Sequence, residues 1–233
     1  MAAVDAAGSV QLGRQRSPQY HAGDSMRPYL RVANVFEDRI DISDVMTMEF
    51  DAADFEAYLL RQDDILLNEG QSAELVGRPA MFRGELVDCC FTNTLVRFRV
   101  GPGLLPEFAL LMFRSWFRNG TFQRIAKITT NIAHLGAGRF AQLAMPIPPI
   151  GEQREILEVA RQLLSEVEAL GTDLKAQRQQ VAQMRQSILH AAFTGRLVPQ
   201  DPADEPAAAL LARLRAAPPP ARRTRSAPRA LRV

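Results

Sequence analysis

Residues Gly151 to Thr194 read GEQREILEVARQLLSEVEALGTDLKAQRQQVAQMRQSILHAAFT, and Gly195 follows them. No proline interrupts the stretch, and a glycine just beyond it is the residue that most readily closes a helix in the left-handed conformation. Stepping alternately by four and three from Ile156 lands on Ile156, Ala160, Leu163, Val167, Leu170, Leu174, Gln177, Val181, Met184, Ile188 and Ala191. All but Gln177 are apolar, the signature of a coiled-coil seam. Gln177 is the kind of polar interruption that fixes register or partner orientation at some cost in stability. Gly171 weakens the middle by about 1 kcal/mol without breaking the pattern. A helix of about 43 residues is roughly 65 Å long, whereas a 150-residue globule is only about 40 Å across. Much of the seam therefore overhangs, and each large apolar side chain left in water forfeits roughly 1.5–3 kcal/mol. No other helix of comparable length is expected in the chain, so the seam calls for a helix from another chain.

Upstream of the helix, Met145-Pro146-Ile147-Pro148-Pro149 must be extended, because proline restricts both itself and the residue before it. The tract marks a boundary. The expected organisation is a globular domain over 1–148, the long helix over 149–196, and a C-terminal segment over 197–217 with a short helix opened by Pro206. An Arg/Pro tail over 218–233 is read as disordered. Within the first domain the first 25 residues read as polar and irregular. Strands are expected at Tyr29–Val35, Asp63–Gly70, Pro79–Arg83 and Phe91–Val100. Helices are expected at Asp51–Leu60 with Asp51 as N-cap, at Pro106–Phe117 and near Phe122–Ile128. The fold class is α+β: a mixed α/β globule followed by one long coiled-coil helix and a short C-terminal helix.

The chain has 233 residues, 47 % hydrophobic and 23 % charged, which fits a folded soluble protein of one large domain or two modest ones. No apolar run approaches the length of a bilayer span, and no secretory leader is evident, so a cytoplasmic location is expected. The two cysteines, Cys89 and Cys90, are adjacent and read as buried or inert thiols. The net charge of +2 hides a segregation along the chain. Residues 1–75 carry six Arg against fourteen Asp or Glu, and residues 76–140 carry nine Arg or Lys against three acids. The last sixteen residues hold five Arg and no acid. A distribution this uneven predicts one face for an anionic partner and another that avoids it. Lys127 and Lys175 are the only lysines, so the positive charge is nearly all guanidinium, suited to phosphate and guanine.

Catalytic signatures are missing. There is no Gly-x-Gly-x-x-Gly or Walker-type loop, and His21, His134 and His190 stand without acidic or nucleophilic neighbours in sequence. Asp63, Asp64 and Glu69 flank a strand and read as its solvated ends rather than as a Mg²⁺ site. No catalytic residue and no metal ligand is assigned.

Several segments together resemble the specificity (S) subunit of type I restriction–modification enzymes. They are Tyr29-Leu30-Arg31-Val32-Ala33-Asn34-Val35, Asp63 to Ser72, Val76-Gly77-Arg78-Pro79-Ala80, Asn93 to Arg99 and Thr129-Thr130-Asn131-Ile132. The most specific are Ile147-Pro148-Pro149-Ile150-Gly151-Glu152-Gln153 and Arg185 to Leu189 with Ala191 to Val198. The resemblance covers roughly residues 10–215. It implies a non-catalytic target-recognition subunit that reads half of a bipartite site in double-stranded DNA and uses its long helix as a spacer. It also implies docking to methyltransferase (M) subunits and recruitment of a restriction (R) subunit. S-adenosylmethionine, Mg and ATP are then expected on those partners and none on this chain. Family members usually carry two recognition domains and two spacer helices; this chain has one of each. It reads as a half-length subunit, or as the product of a truncated or split gene. Two half-subunits would pair their helices antiparallel, through Ile156, Ala160, Leu163, Val167, Leu170, Leu174, Gln177, Val181, Met184 and Ile188. Two other readings stay open: the detached recognition portion of a fused methyltransferase–nuclease, and a coiled-coil dimeric DNA binder unrelated to modification.

On the DNA-binding reading, phosphate contacts are expected from Arg78, Arg97, Arg99, Arg118, Arg124 and Lys127. For base edges, Asn68 and Gln71 suit adenine, Arg78 suits guanine and Glu69 can accept from cytosine. Ser72, Asn93 and the polar loop Thr129, Thr130 and Asn131 complete the candidate set.

Overall fold

The computed structural model describes residues 1–129, 131–199, 201 and 203–216. It divides into two compact units, one spanning Met1–Glu166 and the other beginning at Val167. The Arg/Pro tail expected over 218–233 lies outside the described residues.

After a short strand (Ala2–Ala3) and one helical turn (Val4–Ala7), the first unit has β1 (Gly8–Leu12), β2 (Met26–Leu30), β3 (Met46–Glu49) and α1 (Ala52–Tyr58). There follow β4 (Ile65–Asn68), β5 (Gly70–Gln71), β6 (Pro79–Met81), β7 (Cys90–Phe91) and β8 (Leu95–Val100). Then come α2 (Pro106–Arg118), α3 (Thr121–Ile125), β9 (Lys127–Thr129), β10 (Ile132–His134) and α4 (Ala137–Ala141). The long helix α5 (Ile150–Phe193) begins in this unit, and α6 (Ala207–Ala216) belongs to the second.

The central sheet has the antiparallel order β1-β8-β4-β6; β4, β6 and the first four residues of β8 are buried on both faces. Along β8 the side chains alternate between two cores. Val96 and Phe98 join α2 in an aromatic cluster, with the Phe98 and Phe113 rings edge-to-face at 5.2 Å between centroids. Leu95 faces the second core with Leu30, Leu66, Ala80 and Phe91. Helix α2 starts at Pro106, where the missing N–H has no helical partner to lose. It presents Phe108, Ala109, Phe113, Trp116 and Phe117 inward at helical spacing. Asp51 caps α1 by accepting the Asp54 N–H at 2.8 Å.

Several strand expectations need correction. The stretch Tyr29–Val35 is not one strand: β2 ends at Leu30 and Val32–Asn34 form a turn of 3-10 helix. Asn34 drives this, since its buried amide accepts the Arg31 N–H at 3.0 Å and donates to the Asp41 and Asp44 carbonyls at 2.9 and 2.8 Å. A side chain that satisfies three backbone groups locally outcompetes the ladder. The stretch Phe91–Val100 is likewise two strands in different sheets, separated by a turn in which the Leu95 N–H donates to the Thr92 carbonyl at 2.9 Å. Residues 1–25 are irregular only in part: up to Leu12 they are ordered, and β1 forms the edge of the central sheet beside β8. Gly8 fits there because a Cβ would lie 2.3 Å from the Arg99 carbonyl oxygen. The helix expected near Phe122–Ile128 stops at Ile125, and Lys127 already belongs to β9.

Gln153 anchors the first turn of α5. Wholly buried, it accepts the Leu105 N–H at 2.9 Å and donates to the Gly103 and Pro148 carbonyls, each at 2.8 Å. Leu157 packs one turn further along in the α2 core. The helix closes after Phe193, where Gly195 at φ 67° lets its own N–H reach the Ala192 carbonyl and the Arg196 N–H the Ala191 carbonyl. Those two bonds make a Schellman stop, as expected from the glycine. Among the described residues no helix is long and apolar enough to cross a membrane.

Candidate nucleic-acid interface

The two polar loops singled out in the sequence, around Asn68–Ser72 and Thr129–Asn131, meet in one small sheet of order β9-β10-β5. Strands β9 and β10 form a hairpin with Lys127 opposite His134, Ile128 opposite Ala133 and Thr129 opposite Ile132. Strand β5 continues the sheet, with Gln71 opposite Ala133 and Gly70 opposite His134. Lys127, Thr129 and Asn131 are exposed, and Gln71 and Ser72 are half-buried beside them. Thr130 lies outside the described residues.

Glu69 ties the hairpin to the globule. Its carboxylate accepts the Gly136 N–H at 2.8 Å and lies 3.8 Å from His134 Nδ1, while the Leu135 N–H donates to its carbonyl. Burial pushes the Glu69 carboxyl above its ordinary range, against the opposing pull of the Gly136 N–H, His134 and Arg139. Arg139 braces the same point, donating to the Ile125 and His134 carbonyls, both at 2.7 Å. Glu69 thus acts as a brace inside the site rather than as a group held out for cytosine. Arg139 and His134 were not among the residues chosen from sequence. Only the pairing of β10 with β5 reveals them, and no local motif announces that pairing.

Other candidates sit elsewhere. Asn68 and Arg97 are buried, so neither side chain reaches the surface. Arg97 lies over the Phe91 ring at 5.2 Å and donates to the Leu59 carbonyl and to Gln11. Arg99 grips Asp64 with two bonds, Nε to Oδ1 at 2.6 Å and Nη2 to Oδ2 at 2.7 Å. Arg78 is half-buried against Phe36 and donates to the Val35 carbonyl at 2.6 Å. Asn93 sits in the turn before β8. Arg118 is exposed and pairs with Glu37 at 2.5 Å; Arg114 reaches Asp38 at 3.1 Å. Arg124 is exposed and donates to the Asn119 carbonyl and the Thr121 hydroxyl.

The charge segregation along the chain is therefore not carried through to whole faces. Folding sets arginines of the basic stretch against carboxylates of the acidic one, as in Arg99–Asp64, Arg118–Glu37 and Arg114–Asp38. Among the described residues, Arg124 and Lys127 enter no ion pair, and both adjoin the β9–β10 hairpin. Arg83 and Arg139 are likewise exposed and enter no ion pair among the described residues, so the hairpin carries part of the unpaired positive charge rather than all of it.

Along α5 the seam is open to solvent. Leu163, Val167, Leu170, Leu174, Val181, Met184 and Ile188 are all exposed, Leu170 at 68 %. Ile156 and Ala160 are partly covered or at the margin of cover. Among the described residues no group of three His, Cys, Asp or Glu is placed to hold a metal ion, and Asp64 is occupied by Arg99. Cys89 and Cys90 are free and buried, and burial pushes both thiols up to about 12.

Comparison with known proteins gives a consistent result. The sequence profile described as "Type I restriction modification DNA specificity domain" matches residues 18–182. The type I restriction enzyme EcoKI specificity subunit of Escherichia coli K12 is 25 % identical over 199 residues, covering 81 % of this chain and 43 % of that one. A putative type I restriction enzyme specificity subunit, MjaX, of Methanocaldococcus jannaschii is 24 % identical over 169 residues, covering 72 % and 39 %. Among solved structures, the HsdS subunit of Thermoanaerobacter tengcongensis superposes with a TM-score of 0.57 at 19 % identity, covering 84 % of this chain and 45 % of that one. A chain from a type I R-M system, solved in work on its complex assembly and conformational transition, gives 0.61 at 17 % identity over 84 % and 46 %. The chain spans less than half the length of these relatives.

Proposed function

The chain belongs to the type I restriction–modification DNA specificity family, and from that premise we propose that it reads one half of a split site in double-stranded DNA. The observation that carries the reading is the family match, which runs through the globular unit and on into α5 as far as residue 182. The β9–β10 hairpin, with Lys127, Thr129 and Asn131 exposed and Arg124 just before it, supplies phosphate-binding charge next to polar side chains of base-reading type. The reading assigns no catalysis to this chain. Methyl transfer and cleavage belong to methyltransferase and restriction subunits, which would carry S-adenosylmethionine, Mg and ATP.

The chain spans less than half of its relatives, and in the half-length reading a second recognition domain comes from another copy or another half-subunit. The exposed seam of α5 is the surface for that pairing. Two identical copies pairing antiparallel place their readers about a two-fold axis and so select a palindromic split site. A different half-subunit makes the site asymmetric.

The test is expression of the chain with type I methyltransferase subunits in a methylation-free host, followed by single-molecule mapping of adenine methylation. One split motif is expected, absent when the chain is omitted. Methylation of the same motif without the chain, or methyl transfer by the purified chain alone, overturns the reading.

A further inference from the structure

Ile128 and Ile132, at the end of the β9–β10 hairpin, are 65 % and 49 % exposed. Single exposed apolar residues are ordinary on a protein surface. Here two β-branched side chains stand at one hairpin end, next to Thr129 and Asn131, with Lys127 exposed in the same hairpin. No Asp or Glu occurs between Glu107 and Glu152, a stretch that holds the hairpin, Arg124 and Lys127. The register puts Lys127, Thr129, Ile132 and His134 on one face and Ile128 with Ala133 on the other, so apolar groups flank the tip on both sides.

We propose that the β9–β10 hairpin enters the major groove of duplex DNA and that Ile128 and Ile132 read thymine there through its 5-methyl group. The proposal rests on the DNA-reading function above and adds to it the element, the groove and the base. Strand β5 pairs only with Ala133 and His134, so the end where Thr129 faces Ile132 is two-stranded, and a two-stranded ribbon fits the width of the major groove. Thymine alone among the four bases presents a methyl group on that edge, and apolar side chains are what recognise it. Lys127, at the root of the hairpin, and Arg124, in the helix before it, are exposed and pair with no carboxylate among the described residues, so both can meet phosphates, Arg124 beyond its bonds to Asn119 and Thr121. The Glu69 and Arg139 braces hold the root of the hairpin, so the tip is presented on a fixed base.

The experiment uses the full chain with its methyltransferase subunits and the mapped target. Each thymine of the half-site is replaced in turn by deoxyuridine, which removes only the 5-methyl group. The intact complex should lose about fourfold in affinity at one or two positions, the value of one buried methyl. I128A and I132A should each weaken binding to thymine DNA and, in the variant responsible for a given position, abolish the difference between thymine and uracil there. Indifference of the intact complex to every uracil overturns the proposal, as does a half-site of G·C pairs alone. So does discrimination that survives both substitutions, or a loss confined to methyltransferase assembly, which would make the hairpin a protein contact. In all of those cases selective binding itself persists and the DNA-reading function stands. If the complex binds no sequence selectively, that function fails first.

Discussion

Glu69 shows how one side chain can be misread from sequence and still belong to the site. Lying in a polar loop, it is expected to offer its carboxylate outward; the fold turns it onto the Gly136 N–H, where burial raises its pKa. For an acid whose folded pKa lies above its unfolded one, the unfolded chain ionises first as pH rises. Stability present at acid pH is then lost as pH climbs through the folded value. Glu69→Gln keeps an oxygen for the Gly136 N–H and no longer titrates. The variant should therefore gain in urea midpoint relative to the parent on going from about pH 4 to 7, with the gap closing at the acid end. A parent that gains instead would show that His134 and Arg139 outweigh the cost of burial. Asn68 and Arg97 carry the complementary lesson. Both have the right chemistry for DNA, yet alternation along a strand does not say which face will be covered when both are.

At the scale of elements, α5 was readable because its information is local. Period, absence of proline and the closing Gly195 all lie within one stretch, and the observed Ile150–Phe193 follows them closely. The role of Gln153 is different in kind, since its three partners are Leu105, Gly103 and Pro148. Gln153→Ala leaves one buried N–H and two carbonyls without that side chain and should cost about 3 kcal/mol in chemical denaturation, with the slope unchanged. Such a loss would identify Gln153 as the side chain that fastens the start of α5 to the α2 core. A change below about 0.5 kcal/mol, the size of an ordinary surface substitution, would show that Leu157 and its neighbours hold that turn unaided.

For the molecule as a whole, the proposed pairing along the open seam is a statement about oligomeric state. Leu170 and Leu174 sit on it with no cover in the isolated chain. Light scattering of the purified protein should report twice the 25.9 kDa chain mass, dissociating on dilution, and Leu170→Lys with Leu174→Lys should return it to a single chain with the globular unit still folded. A monomer at all concentrations, even with methyltransferase subunits present, would remove the coiled-coil pairing. What the amino-acid order determined by itself was the long helix, its seam and its stop, because spacing along one chain is sufficient for each, and the family through the resemblance of whole segments. Which charges survive to meet a partner was decided only by tertiary structure. Arg99 and Asp64, or Arg118 and Glu37, are far apart in sequence, and their mutual neutralisation depends on segments that only the packed sheet brings together.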